Sequence, residues 1–447
     1  MKKILILLFI SLLCGCSKDV LMTDLSNMSL NEIETYASEN NLELNKEYTY
    51  SDIEKDKVVS QSIPVGTKLS GQKLDIVISK GKNDTYKLSL AMVGDVLIHG
   101  SVYGDAKTNN GYDFTEMVSL VKPLIADYDL AYYNQETILG GVELGLSTYP
   151  RFNSPYEVGD AMLDMGFNLV SLANNHTLDR NEEGIINSVA YWKKQENVLV
   201  AGSYTSQEDR DNMDIHIGEK NGITYGFLSY TTATNGLKAP YGKEYLVNVY
   251  SDELVKKDIE AIRDKVDVLI VAMHWGSEYT HTPTYEETSI ANYLASLDVD
   301  LIIGNHPHVI QPITYIDDTL VIYSLGNFLS GQIGEERNIG LLASVDITKT
   351  VDNDGTKITI DNIGTELIYT KYNMYVANDN YYCSKYKLYP FSDLNNSILN
   401  NYLSIEEKYN KIVTEYDNTI KVNMFSDNEV KSWQKSVTRK PILIMKY

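Results

Sequence analysis

The chain has 447 residues, 43% of them hydrophobic and 22% charged, and a formal net charge of −22. Its length exceeds one average domain of ~100–200 residues, and the apolar content is ample for a sizeable interior. So acidic a chain lacks the Lys and Arg excess that releases counterions from a phosphate backbone, which argues against nucleic acid as a partner and disfavours passive adsorption to anionic lipid.

The first sixteen residues offer another route to a membrane. Lys2 and Lys3 are followed by an apolar run from Ile4 to Leu13, and the stretch ends at Leu13-Cys14-Gly15-Cys16. A run of about ten residues is too short to span a ~30 Å hydrocarbon core. The pattern resembles a lipoprotein signal, with Leu at −3 and a small residue at −1 before the Cys that becomes the diacylated N-terminus. That resemblance implies cleavage before Cys16 and a lipid anchor at the extracellular face of the cell membrane. An ordinary secretory signal is the alternative. Cys14 leaves with the signal, so the mature chain holds only Cys16 and Cys383, and no disulfide framework is available.

Residues 20–82 read as a small α+β unit. Ser29 is an N-cap candidate with Glu32 at the capping-box position, and Ile33, Tyr36 and Ala37 follow at helical spacing. Two strands are expected next; the second, Lys73 to Ser79, alternates Leu74, Ile76 and Ile78 with Asp75 and Val77 and stops at Gly81. Asp24-Leu25, Met28-Ser29, the turn from Ser60 to Gly66 and the Ile76-Val77-Ile78-Ser79-Lys80-Gly81 terminus make the unit resemble a PASTA domain. Thr23 and Asn27 stand where that family usually has Pro and Gly. The resemblance implies peptidoglycan as a partner; a stalk lifting the next domain off the membrane is the other reading.

From Tyr86 the pattern alternates β-rich runs with helical segments. The runs are Leu88 to Asp95, Leu130 to Glu136, Asn168 to His176, Val266 to Trp275, Val299 to His308 and Thr319 to Phe328. Helical spacing covers Glu157 to Met165, Glu182 to Lys194, Glu253 to Lys265 and Tyr285 to Leu297, so residues 86–345 are expected to form an α/β domain. Residues 346–447 are expected as a separate appendage, a β-hairpin around Asp352-Asn353-Asp354-Gly355 followed by a helix within Asn395 to Thr419.

Open α/β sheets bind ligands at the carboxyl ends of their strands. Here those ends carry Asp95, Glu136, Asn175, His176, Asp179, His274, Glu278, His306 and His308, and six of the seven histidines lie in or just after these motifs. Such a mixture of imidazole, carboxylate and amide oxygen suits a borderline divalent cation, Mn²⁺, Zn²⁺ or Fe²⁺, as one ion or two. A pair of such ions activates water and steadies phosphoryl charge. Taken singly, each residue has a plainer reading: Asp95 as a helix cap, Glu136 as a solvated loop carboxylate, Asn175 as a loop brace, His176 as a core histidine, His274 as packing beside Trp275. The two-residue spacing of His306 and His308 places both on one face of an extended strand. His99 and His281 stay open, and His216 reads as structural.

From Leu88 to about Ser330, Gly94-Asp95-x-x-x-His99, Asn134-x-Glu136, Phe152-x-x-Pro155, Ala173-Asn174-Asn175-His176-x-x-Asp179, His274-Trp275-Gly276-x-Glu278-Tyr279, Gly304-x-His306-Pro307-His308-Val309-x-Gln311 and Tyr323-Ser324-Leu325-Gly326-Asn327-Phe328 are similar to CapA proteins. That resemblance implies a calcineurin-like, metallophosphatase-type layered α/β sandwich acting in capsule (poly-γ-glutamate) biosynthesis or export. It implies metal-ligand roles for Asp95, Glu136, Asn175, His274, His306 and His308, with Glu136 bridging, and catalytic roles for His176 and Asp179. The superfamily's usual Asp-x-His start is replaced by Asp95 with His99 four residues on, an offset that need not aim both at one metal. Partners implied are the polymer and a membrane synthase. Two other functions fit the same residues: a non-catalytic polymer-binding or synthase-associated subunit, and a metal-dependent phosphoesterase for a cell-envelope substrate.

Overall fold

A computed structural model describes residues 19–377 and 380–424, so Cys16 and the signal-like segment lie outside the described residues. Two compact units divide the chain: one holds the described residues through Thr85 together with Thr350–Lys357, the other Tyr86–Lys349 and the chain from Ile358. Among the described residues no helix is long and apolar enough to cross a membrane.

In the first unit Ser29 caps the helix Leu30–Glu39 in a full capping box with Glu32. Three strands follow rather than the two expected. Lys73–Ser79 is central, parallel to Glu43–Thr49 and antiparallel to Val58–Gln61. Glu43–Thr49 forms an edge whose residues are exposed or half-buried, with no alternation to read. Leu74, Ile76 and Ile78 are fully buried against Ile33 and Ala37 of the helix.

The second unit is a layered α/β sandwich, as the CapA resemblance implies, built on the α/β alternation of its sequence. One sheet has eight strands, with Leu199–Ala201, Leu169–Ser171, Leu130–Asn134, Asp84–Leu97, Ile339–Asp352, Gly355–Ala377 and Asn380–Pro390 side by side and Asn327–Ser330 also paired to Asp84–Leu97. The other has six, in the order Ile217–Lys220, Ile223–Thr231, Val268–His274, Leu301–Asn305, Thr319–Ile322, Ile313–Ile316. The inner faces share one core, in which Leu90, Met92 and Tyr132 of the first sheet meet Phe227, Ile270 and Ile303 of the second. Helices Glu157–Asp164 and Asn181–Trp192 cover the outer face of the larger sheet, and Asp252–Ile262 and Tyr285–Ser296 that of the smaller. Strands buried on both faces explain the continuous apolar runs in the sequence.

The segment after residue 345 is not a separate appendage. Leu341, Ala343, Val345 and Ile347 face the inter-sheet core while Leu342 faces the outer one, so Ile339–Asp352 is a two-sided strand of the main sheet. The helix Tyr402–Val413 buries Tyr409 and Val413 in the same inter-sheet core. Period-two burial and hairpin pairing carry the sheet past the end of the motif-bearing region.

Two glycines let the strands come close enough to gather the site. A Cβ on Gly94 would lie 1.8 Å from the Gly326 carbonyl oxygen, and one on Gly304 would lie 1.9 Å from that of Tyr323. Any side chain at either position would push apart backbones that carry Asp95 and His306.

Candidate metal centre

Parallel pairing brings the motif-bearing strand ends into line. Asp95 is in register with Asn134, and His274 with Asn305, the residue before His306. Asp95, Glu136, Asn175, His274 and His308 are almost wholly buried, and His306 is partly so. Their donor atoms form three overlapping groups: Glu136, His274 and His306; Asp95, Glu136 and His308; Glu278, His306 and His308. Glu136, His306 and His308 each belong to two of them, and Glu136 alone of these is a carboxylate, with two oxygens to share.

The distances are those of ligands around shared points. His274 Nε2 lies 3.0 Å from His306 Nδ1, 3.1 Å from Asn175 Oδ1 and 3.7 Å from Glu136 Oε1. Glu136 Oε1 is also 3.6 Å from His308 Nε2, and His308 Nδ1 is 3.1 Å from Asp95 Oδ2. Atoms held ~2.0–2.2 Å from one cation are themselves roughly 3 Å apart, so the spacing fits. The donor chemistry fits too. Both Glu136 oxygens are buried with no hydrogen-bond partner among the described residues, which a coordinated cation would satisfy.

Electrostatics in the ion-free site divide the ligands, with His274 and His306 in the ligating form and Glu136 and His308 drawn toward the protonated one. Burial pushes the Glu136 carboxyl well above its usual range, and the neighbouring carboxylates of Asp95 and Glu278 add to this against the opposing pull of His308. Burial, then neighbouring imidazoles, hold His274 well below its usual value, and His306 falls to about 4 for the same reasons. Both rings are therefore neutral, the form that ligates metal. For His308 burial acts downward but Glu136 and Asp95 outweigh it, raising the ring to about 9.

The expected reason for His306 and His308 converging needs correction. The strand ends at Asn305, and both histidines lie in the following loop with φ of +98° and +57°. Left-handed backbone at non-glycine residues costs of order 1–3 kcal/mol each and recurs at functional sites. Loop conformation, not strand alternation, turns both rings inward.

His176 and Asp179 stand together beside the centre. His176 Nδ1 is 2.6 Å from Asp179 Oδ2, which also accepts from Phe152 N at 2.6 Å, and the imidazole stands edge-on to the Phe152 ring with centroids 4.7 Å apart. The remaining histidines lie outside the ligand groups. His99 faces the Leu97 carbonyl through Nδ1 at 3.0 Å and packs on Phe152, His281 faces the Ile310 carbonyl at 2.7 Å, and His216 pairs with Tyr204.

Other residues join the site beyond those to which the resemblance gives a role. Glu278 shares a ligand group with His306 and His308. Asn134 Nδ2 donates to Asp95 Oδ1 at 2.8 Å, and Asn327 Oδ1 lies 3.1 Å from His308 Nδ1. Glu278, Asn134 and Asn327 sit inside the strand-end motifs, the signal by which they could be found. Asn235, whose side chain reaches Asn175, sits in a loop with no such signal.

Residues 89–332 match the family described as bacterial capsule synthesis protein PGA_cap, and residues 20–80 match the PASTA domain. The chain belongs to the PGA_cap family. Among curated proteins it is 28% identical over 169 residues to the PGA biosynthesis protein CapA of Bacillus subtilis, covering 38% of this chain and 44% of that protein. It is 25% identical over 273 residues to the capsule biosynthesis protein CapA of Bacillus anthracis, covering 58% and 64%. The alignments thus span less than two thirds of either relative. A solved Staphylococcus aureus structure, described as a candidate 5'-nucleotidase in complex with alpha-ketoglutarate, superposes with a TM-score of 0.40 at 14% identity, covering 78% of this chain and 58% of that one. The PGA_cap match contains every residue of the three ligand groups, together with Asn175, His176 and Asp179.

Proposed function

We propose that this PGA_cap protein is a surface lipoprotein, anchored through Cys16, whose main domain is a metal-dependent hydrolase-like unit in capsule (poly-γ-glutamate) biosynthesis. The observation that carries the reading is Glu136, a buried carboxylate without a hydrogen-bond partner that belongs to two ligand groups at once. The curated relatives, named for capsule and PGA biosynthesis, support the biological setting.

Asp95 and His308 with Glu136 would hold one divalent cation, and Asn175, His274 and His306 with Glu136 a second. Bound there, such ions supply Lewis acidity and a nucleophilic water for attack on a phosphoryl or acyl centre. The protein's own part is positional. Asp179 holds the Nδ1 side of His176, which leaves Nε2 as the atom that exchanges a proton with a leaving group. Phe152 packs against that ring and limits its rotation. As partners we read the polymer, a membrane synthase and peptidoglycan, the last supported by the PASTA match.

The test is the metal content of the purified full chain, measured by elemental mass spectrometry beside a His274→Ala, His306→Ala double variant. About two equivalents of a transition metal, lost in the variant, support the reading. A wild-type chain that takes up neither Mn²⁺, Zn²⁺ nor Fe²⁺ sinks it.

A further inference from the structure

The strand Ile223–Thr231 ends beside His274, and the loop after it is tied down at its base. Thr232 N donates to the His274 carbonyl at 3.0 Å, and Thr231 Oγ1 donates to that of Ala233 at 2.8 Å. The next four residues close a tight turn. Leu237 N donates to the Thr234 carbonyl at 2.9 Å, and between them Asn235 and Gly236 have φ of +51° and +74°. Two successive left-handed residues mark a type I′ turn, for which Asn-Gly is a preferred pair. Thr234 Oγ1 braces it further by donating to the Leu237 carbonyl.

This turn delivers Asn235 to the ligand loop. Its Oδ1 accepts from Asn175 Nδ2 at 3.4 Å, and its Nδ2 lies 3.5 Å from His176 Nδ1. Asp179 is much nearer to that imidazole nitrogen, at 2.6 Å, and is its main hydrogen-bond partner. Asn235 therefore packs on His176 but directs its acceptor at Asn175. An amide side chain has two orientations of nearly equal shape, with oxygen and nitrogen exchanged. Only one turns the Asn175 oxygen to the side where it lies 3.1 Å from His274 Nε2. An acceptor on the opposite side selects that orientation, because only the NH₂ end can donate to it.

We propose that Asn235 is a positioning residue that locks the Asn175 amide with its oxygen toward the divalent-cation site, an inference resting on the metal-centre reading above. The geometry makes a specific demand: position 235 must offer an acceptor and tolerate left-handed backbone. Asn235→Gly keeps the turn and removes the acceptor. Asn235→Asp keeps both.

The experiment titrates Co²⁺ into the purified full chain and the two variants, following the visible ligand-field absorption and the equivalents bound, with thermal melts to confirm folding. The expected result is that Asn235→Gly weakens one Co²⁺ site roughly tenfold or more and changes its absorption spectrum, while Asn235→Asp stays close to wild type. Equal Co²⁺ affinity in wild type and Asn235→Gly overturns the proposal and leaves the metal centre standing. Equal weakening in both variants also overturns it, since the acceptor would then not be what matters. Failure of the wild-type chain to bind Co²⁺ overturns this proposal and the metal-centre reading together.

Discussion

Nε2 of His274 and Nδ1 of His306 lie 3.0 Å apart, two neutral imidazoles turned toward one another at the ends of adjacent parallel strands. Neutral rings with converging nitrogens form no salt bridge; they share a proton between them or, in the reading proposed above, one cation.

Glu136 is shared, whereas Asp95 serves one ligand group. Asp95→Asn is accordingly expected to lower metal content from about two equivalents to about one, and Glu136→Gln to lower both sites together. Elemental analysis of the two variants, prepared identically, checks the difference; equal losses would contradict a bridging role.

The pairing of His176 with Asp179 predicts a variant that keeps its metal and loses turnover. Asp179→Asn removes the carboxylate that holds His176 Nδ1, leaving the ligand groups intact. Phosphoester or amide turnover is expected to fall about 10²-fold or more, with metal content unchanged. A drop in both would mean that Asp179 supports the centre instead of the proton transfer.

Gly304 sits where two strands and Trp275 crowd together. An alanine Cβ would lie 1.9 Å from the Tyr323 carbonyl oxygen and 2.7 Å from Trp275 Nε1, which itself donates to that oxygen at 3.0 Å. Gly304→Ala is expected to cost about 3 kcal/mol in denaturant unfolding, and to weaken metal uptake because His306 is two residues away.

Asp267 gives a pH dependence remote from the centre. Burial acts to raise its carboxyl, but Lys349 at 2.8 Å and the Thr224 amide and hydroxyl outweigh it, so it titrates below the usual carboxylate range. A lowered folded value contributes stability that is present above the unfolded pKa of ~3.9 and lost as pH falls through the folded one. Asp267→Asn is therefore expected to melt lower than wild type at pH 7, by about 1–2 kcal/mol, with the gap closing below about pH 4. Melting both proteins across that range decides it; a gap that persists in acid would point to packing rather than charge.

Much of the site is legible before any folding is considered. Apolar runs that lead into Asp95, Glu136, His274 and the His306 motif announce themselves because parallel strands are apolar until near their carboxyl ends, where polar residues stand out. Legibility stops at residues whose local surroundings carry no such contrast. The strand Glu43–Thr49 is an exposed edge, and Ile339–Asp352 runs unbroken through the expected domain end at residue 345, so the hairpin read as an appendage continues the main sheet. His99 and Asn235 show the same limit within the site: the first shares a motif with Asp95 yet lies outside the ligand groups, and the second has no motif yet touches a ligand residue.

What the sequence by itself determined is the alternation of strands and helices, the capped helix of the PASTA unit and the kinds of donor atom at the strand ends, since each depends on residues near in the chain. Which donors share a point was decided only by tertiary structure. Strand register sets Asp95 beside Asn134 and His274 beside Asn305, glycines at 94 and 304 allow the backbones to close, and left-handed turns at His306, His308 and Asn235 aim the side chains. Those are non-local constraints, held in place by packing between two sheets, and local propensity carries no record of them.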